Sequence, residues 1–279
     1  MTGVSIDREV LAGLVPLLRC PACSIPALTI GSRGLDCDSC GHLAPFVDGV
    51  LDLVANSTGP VSAGDKPYEG LNAKLYGWLM SSPTRQRLDS WLLGLDVKRY
   101  YSEMADRIAG LPDGPILEIP AGNGPLFKQA AGYRDRGPWI FADLSWHLLK
   151  QLAAKVEAVG AKRHLIIRAD ACALPIVDGT MAGAVSMFGI HCFHDKSAVF
   201  GELRRVVSEE GQIAVSTLTT DGHKLSQYYH QMSQKDGTFA PDNSWAEIST
   251  AARGQGLELH GTTGLGSARV FTARPKIHS

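Results

Sequence analysis

The sequence predicts an α/β protein: a doubly wound, mostly parallel sheet preceded by a small β module. Three observations carry that prediction. Residues 116–124 read Ile-Leu-Glu-Ile-Pro-Ala-Gly-Asn-Gly, an apolar strand that ends near an acid and runs into a Gly-rich turn, with a helical stretch after it at 125–131. Downstream, short apolar runs at 139–142, 164–168, 184–190 and 211–217 alternate with helical patterns at 146–159 and 196–207. Near the N-terminus, two Cys-x-x-Cys pairs stand thirteen residues apart.

The composition narrows the class. The chain has 279 residues, 44% of them hydrophobic and 20% charged, which suits a globular protein with a sizeable core. No apolar run reaches the roughly 18 to 20 residues of a membrane span. The first residues, Met-Thr-Gly-Val-Ser-Ile-Asp-Arg-Glu, lack the basic and apolar regions of a signal peptide, so the expected location is cytoplasmic. A formal net charge of −1 gives no support to a large nucleic-acid footprint.

Residues 7–19 form an amphipathic lead-in. Cys20 and Cys23 then offer two thiolates from one tight turn, and Cys37 and Cys40 two more from another. Two such knuckles facing each other make a closed tetrahedral Zn²⁺ site, which is structural because four sulfur ligands leave no open position. Zinc would supply folding energy that a module this small cannot draw from its own core. His42 is expected to be a surface neighbour. A hairpin is expected over 27–35, and a further strand pair over 43–53 around the Asp48-Gly49 turn. The module spans 1–55. Small and polar residues at 56–66 read as a linker. The main domain is 67–279. It opens with a helical cover, 67–113, containing helices over 68–95 and 100–110, in which Tyr68 or Tyr76 could touch ligand.

Gly122 and Gly124 let the backbone take φ > 0 and approach a ligand, and the helix behind them leaves N–H groups free. A dinucleotide site would want Gly-x-Gly-x-x-Gly, and the third glycine is missing here. The second strand ends at Asp143-Leu144-Ser145, 19 residues after Gly124. A carboxylate at that tip can accept hydrogen bonds from both ribose hydroxyls, and Ser145 is placed to cap the next helix. The third strand, 164–168, is followed by Asp170 and Ala171. The fourth, 184–190, leads into His191-Cys192-Phe193-His194-Asp195. After the fifth strand, 219–244 reads as an inserted lid carrying His223 and His230, and a last helix at 245–254 precedes a strand pair at 257–260 and 267–273. Cys172 and Cys192 are expected to be small buried residues.

Acid-x-Pro-x-Gly-x-Gly at 118–124 resembles the first motif of class I S-adenosylmethionine (SAM)-dependent methyltransferases, acid-x-Gly-x-Gly-x-Gly, with Pro120 in place of the first glycine. Leu174-Pro175-Ile176-Val177-Asp178-Gly179-Thr180-Met181 resembles a later passage of that family, with Ala182 where an aspartate is usual. The resemblance covers 114–273 and is closest to the ubiquinone and menaquinone methyltransferases and related small-molecule enzymes. The cysteine module resembles the zinc ribbons at the front of some bacterial methyltransferases. The resemblance implies a Rossmann-like sheet of seven strands and a SAM site. It places Glu118, Pro120, Ala121, Gly122, Asn123 and Gly124 around the cofactor, then Asp143, Leu144 and Ser145. Asp170 would meet the adenine amino group and the Ala171 amide a ring nitrogen, with Met187 and Phe188 at the fourth strand's end.

The implied chemistry is an in-line methyl transfer to a small-molecule acceptor, for a hydroxyl assisted by a general base. His191 and His194 are the candidates, since they follow the central strand at the edge where open α/β sheets bind ligands. His223 and His230 are weaker candidates. Two alternatives stand beside this. One is a ribosomal RNA guanine methyltransferase with the ribbon as RNA reader, which a basic face of Arg85, Arg87, Lys98 and Arg99 would favour. The other is a degenerate SAM-binding module that docks a partner, which Pro120 and Ala182 permit.

Overall fold

A computed structural model describes residues 6–54, 94–125, 137–160, 163–222, 224–235 and 237–276. The expected linker at 56–66, most of the helical cover, and the helix after the Gly-rich turn lie outside the described residues, as do Tyr68, Tyr76, His223, Arg85 and Arg87.

The described chain opens with helix α1 (Arg8–Leu14), whose N-cap Asp7 accepts from the Glu9 amide. Four short strands follow: β1 (Leu28–Ile30), β2 (Gly34–Cys37), β3 (Leu43–Val47) and β4 (Val50–Asp52). After α2 (Val97–Ala109) come β5 (Ile116–Glu118), β6 (Trp139–Asp143), α3 (Trp146–Ala158), β7 (His164–Arg168) and β8 (Met181–Met187). The remainder is α4 (Lys196–Val206), β9 (Val207–Leu218), α5 (Lys224–Lys235), α6 (Trp245–Gly254), β10 (Leu257–Leu265) and β11 (Ala268–Pro275).

All these strands join one sheet in the order β1-β2-β3-β4-β7-β6-β5-β8-β9-β11-β10. Among the described residues it has eleven strands, so the expectation of seven is corrected. Strands β5 to β11 form the expected seven. The other four belong to the cysteine module, whose β4 pairs in parallel with β7, Leu51 opposite Ile167 and Asp52 opposite Arg168. The parallel core runs from β4 through β7, β6, β5 and β8 to β9, and antiparallel hairpins complete both ends.

Alternation along each central strand fills two cores, as a sheet covered on both faces requires. Leu117, Ile140, Ala142, Ala184 and Ile213 face one cluster with Leu11 and Leu14 of α1, Phe200 and Leu203 of α4 and Ile248 of α6. Ile116, Phe141, Val185 and Ala214 face the other, with Tyr100 and Met104 of α2 and Leu149 and Leu152 of α3. Cys20, Leu35, Cys37 and Leu51 belong to the first cluster, so the cysteine module shares the main core. Several boundaries moved. β8 starts and stops three residues earlier than expected, its tip replaced by a 3₁₀ turn at Ile190–Cys192. The expected lid contains the helix α5.

Candidate functional site

At the C-terminal edge of the sheet, the turn after β5 hangs between its neighbours. The Ile119 amide donates to the Val185 carbonyl of β8 at 2.9 Å, and the Ala121 amide to the Ala142 carbonyl of β6 at 2.8 Å. Gly122 and Gly124 take φ of +53° and +68°, which only glycine adopts without strain. A Cβ on Gly122 would meet nothing within 4 Å, so the turn faces open space. Pro120, which stands where the family motif has glycine, is matched by Gly189: a Cβ there would stand 2.1 Å from the proline Cδ.

Asp143 is buried at the tip of β6. Its Oδ2 accepts from the Gly122 amide at 2.8 Å and its Oδ1 from the Ser145 amide at 2.9 Å. The carboxylate thus ties the Gly-rich turn to the start of α3, where Ser145 Oγ caps the Leu148 amide. From α3, Lys155 Nζ donates to the Asn123 carbonyl at 2.6 Å, and the Asn123 side-chain amide donates to Gln151 Oε1 at 3.2 Å. Glu118 is buried at the end of β5. Asp170 is exposed just beyond β7, where its Oδ1 accepts from the Cys172 amide at 2.8 Å. Ala171 beside it is buried. The structure therefore brings Gly122, Asp143, Asp170, Met187 and Phe188 to one edge of the sheet, on the ends of β5, β6, β7 and β8.

The tip of β8 gathers Tyr100 and Ser216, which the sequence did not single out, around Phe188. Phe188 holds φ of +47°, a conformation costing a non-glycine residue roughly 1–3 kcal/mol. Its amide donates to Ser216 Oγ at 3.1 Å and to the Ser216 carbonyl, and its ring stacks on Tyr100 at 4.5 Å. Tyr100 is buried, bonds Ser216 Oγ at 2.8 Å, and has its phenol pushed well above the ordinary range by burial. In the sequence Tyr100 only opens the helix expected over 100–110, and nothing linked it to Phe188.

The two candidate bases part company. His191 is buried in the 3₁₀ turn, and its Nδ1 accepts from the Leu218 amide at 3.2 Å. Burial, helped by the neighbouring His230 and Lys196, pushes its imidazole down to about 3. The ring is therefore neutral, with the Leu218 amide on its Nδ1. His194 is exposed on the turn into α4. Cys172 is exposed and not buried as expected, because its turn bonds back to Asp170 and points the side chain outward.

The four cysteines converge on a second site. Their Sγ atoms lie within 4.8 Å of one another, with Cys20 to Cys40 at 3.7 Å and Cys23 to Cys37 at 3.8 Å. The knuckles repeat one geometry. The Ser24 amide donates to the Cys20 carbonyl and the Gly41 amide to the Cys37 carbonyl, and Ser24 and Gly41 take φ of +63° and +73°. Tetrahedral zinc with bonds of about 2.3 Å needs sulfur separations of ~3.8 Å, so the donor set fits that ion.

The ribbon is fastened beside the first site. Arg19, next to Cys20, donates from Nε to the Leu174 carbonyl and lies 3.7 Å from Glu202. Arg205 holds the Leu174 and Ile176 carbonyls, Asp178 and Glu202. Arg168, at the end of β7, pairs with Asp52 at 3.6 Å and stacks on Trp146 at 5.2 Å. Lys98 and Arg99 are exposed on α2. No helix among the described residues is long and apolar enough to cross a membrane.

Comparison with known proteins locates the central region. Residues 116–211 match the family described as methyltransferase domain. The curated YafE protein of Escherichia coli is 28% identical over 89 residues, which are 32% of this chain and 43% of YafE, so the match spans less than half of that relative. Among solved structures, the YcgJ protein of Bacillus subtilis superposes with a TM-score of 0.55 at 12% identity, covering 64% of this chain and 100% of YcgJ. The phosphoethanolamine N-methyltransferase 2 of Haemonchus contortus, in complex with phosphomonomethylethanolamine and S-adenosylhomocysteine, gives 0.59 at 14% identity over 77% of this chain and 60% of its own. The geranyl diphosphate C-methyltransferase of Streptomyces coelicolor gives 0.52 at 12% identity over 65% of this chain and 82% of its own. The α/β fold is that of methyltransferase structures.

Proposed function

We propose that this chain is a SAM-dependent methyltransferase acting on a small molecule, with transfer to a hydroxyl oxygen. The observation that carries the reading is the turn at 120–124, held open by the Asp143 carboxylate at the edge where Asp170, Met187 and Phe188 also end. Relatives solved with S-adenosylhomocysteine at a comparable fold support the donor. When bound, SAM supplies a methyl made electrophilic by its sulfonium.

The chain's own groups supply position and environment. Gly122 and Gly124 allow close backbone approach, and Asp143 keeps a carboxylate facing the ribose hydroxyls while fixing the turn. Asp170 offers an acceptor to the adenine amino group, and Met187 and Phe188 give apolar walls. Orientation of this kind can account for much of a transfer rate. The four thiolates of Cys20, Cys23, Cys37 and Cys40 hold a structural zinc, which the sulfur separations favour. Calorimetry tests the donor site. S-adenosylhomocysteine binds the native chain, and Asp143→Ala, which removes two charge-assisted amide bonds, weakens it roughly 10- to 100-fold. Unaltered affinity refutes the assignment of Asp143.

A further inference from the structure

The lid helix α5 is inverted. Its buried residues are Ser226, His230 and Ser233, spaced i, i+4 and i+7 on one face. Its exposed residues include Leu225, Tyr228 and Met232, at 41%, 61% and 47% exposure. A helix that closes an apolar core turns the other way. This one directs hydroxyls and an imidazole inward.

His230, at the middle of that face, is fully buried, and neither ring nitrogen has a hydrogen-bond partner among the described residues. An imidazole carries two polar nitrogens, and buried polar groups are rarely left unpaired in native structures. The Ser267 hydroxyl is likewise buried without a partner among the described residues. It belongs to the same surface, because a Cβ on Gly222 would stand 2.2 Å from Ser226 Oγ and 2.3 Å from Ser267 Oγ. An aromatic run joins the surface to the site. His230 packs on Phe239 at 5.1 Å, Phe239 on His191 at 4.4 Å, and His191 on Phe188 at 6.5 Å.

We propose that the inward face of α5, centred on His230, binds the methyl acceptor, and that this acceptor is an uncharged hydroxyl compound with an apolar or aromatic body. A neutral imidazole presents one donor and one acceptor, which together match a hydroxyl. Burial holds the His230 ring neutral. The helix's two lysines, Lys224 and Lys235, are exposed, and nearby Lys196 is committed to the Phe193 and Pro241 carbonyls at 3.1 and 2.8 Å. These three lysines therefore offer no free cation to a phosphate or carboxylate on the inward face. Phe239 and Tyr229 supply the apolar wall. The inference rests on the methyl-transfer reading for the identity of what enters.

The test uses the full chain with ¹⁵N-labelled histidine, with and without S-adenosylhomocysteine, and phenol, anisole and inorganic phosphate as probes. The His230→Gln spectrum assigns the resonances. Phenol shifts the His230 nitrogens and anisole does not. His230→Leu weakens phenol roughly tenfold, while His230→Gln, which keeps a donor and an acceptor, stays within about threefold of the native chain. Equal responses to phenol and anisole, a response to phosphate, or unmoved His230 signals overturn the proposal. Parallel calorimetry separates the two readings: S-adenosylhomocysteine that binds while phenol leaves His230 unmoved sinks this inference alone. Phenol that shifts His230 in a chain that does not bind S-adenosylhomocysteine sinks the methyl-transfer reading and leaves α5 with a hydroxyl-binding face that is not an acceptor site.

Discussion

Replacing His191 by Asn should flatten the acid side of the stability profile. The native imidazole is buried with its Nδ1 on the Leu218 amide and is held down to about 3, against 6.5 for a free histidine. Between those values the unfolded chain binds a proton that the folded chain does not. The stability tied to this neutral ring is therefore complete above pH 6.5 and is lost as pH falls toward 3. The slope approaches about 1.4 kcal/mol per pH unit, which integrates to roughly 2.3 kcal/mol between pH 6.5 and 4.5. Asn can place an oxygen near the Nδ1 position and still accept from the Leu218 amide, but it does not titrate. Urea unfolding of both proteins at pH 7.5, 5.5 and 4.5 checks this. Burial also pushes His230 down, with the same sign in both proteins. The two rings interact, so the difference between the curves reports His191 together with that coupling. Parallel curves refute the neutral, buried assignment.

Three further outcomes follow from the packing. Metal analysis should find one zinc per chain, and a chelator should lower the thermal midpoint of the whole chain by at least ~10 °C, because the ribbon is an edge of the main sheet. A separate early transition on calorimetry would contradict a shared core. Gly189→Ala should cost roughly 1–3 kcal/mol in urea unfolding, since its Cβ runs into Pro120, and adding Pro120→Gly should recover at least half. Arg205→Lys should cost roughly 1–3 kcal/mol, because an ammonium cannot reproduce the fork that holds two carbonyls, Glu202 and Asp178; an unchanged urea midpoint would count against that network.

The legible parts of the sequence were those encoded locally. Strand, turn and helix at β5, β6 and α3 follow from apolar runs, glycines with positive φ and a Ser145 cap, all within a few residues of one another. The convergence of Cys20, Cys23, Cys37 and Cys40 followed from spacing, because each knuckle is a self-contained turn. The roles of single side chains at the β8 tip were less legible. His191 has the residue type and position of a base, but its protonation is set by the burial around it, and its Nδ1 is taken by a Leu218 amide 27 residues away. The contact of Tyr100 with Phe188 and Ser216 joins three distant segments, and no local pattern announces it.

The attachment of the cysteine module belongs to the same class. β4 is too short to declare a partner, and its pairing with β7 spans 51 to 167. Once paired, it places Asp52 on Arg168, and Arg168 donates to the Leu144 carbonyl directly after Asp143. On the same side, Arg19 follows the strand bridge between Leu18 and Ile176, so the chain leading into the first knuckle grips the passage after Asp170. The segments on either side of the knuckles thus brace the chain next to Asp143 and after Asp170. A module that merely tethered a partner would need neither connection. Both exist: the segments flanking the four cysteines are joined to the chain around Asp143 and Asp170 by backbone pairing and by two arginines.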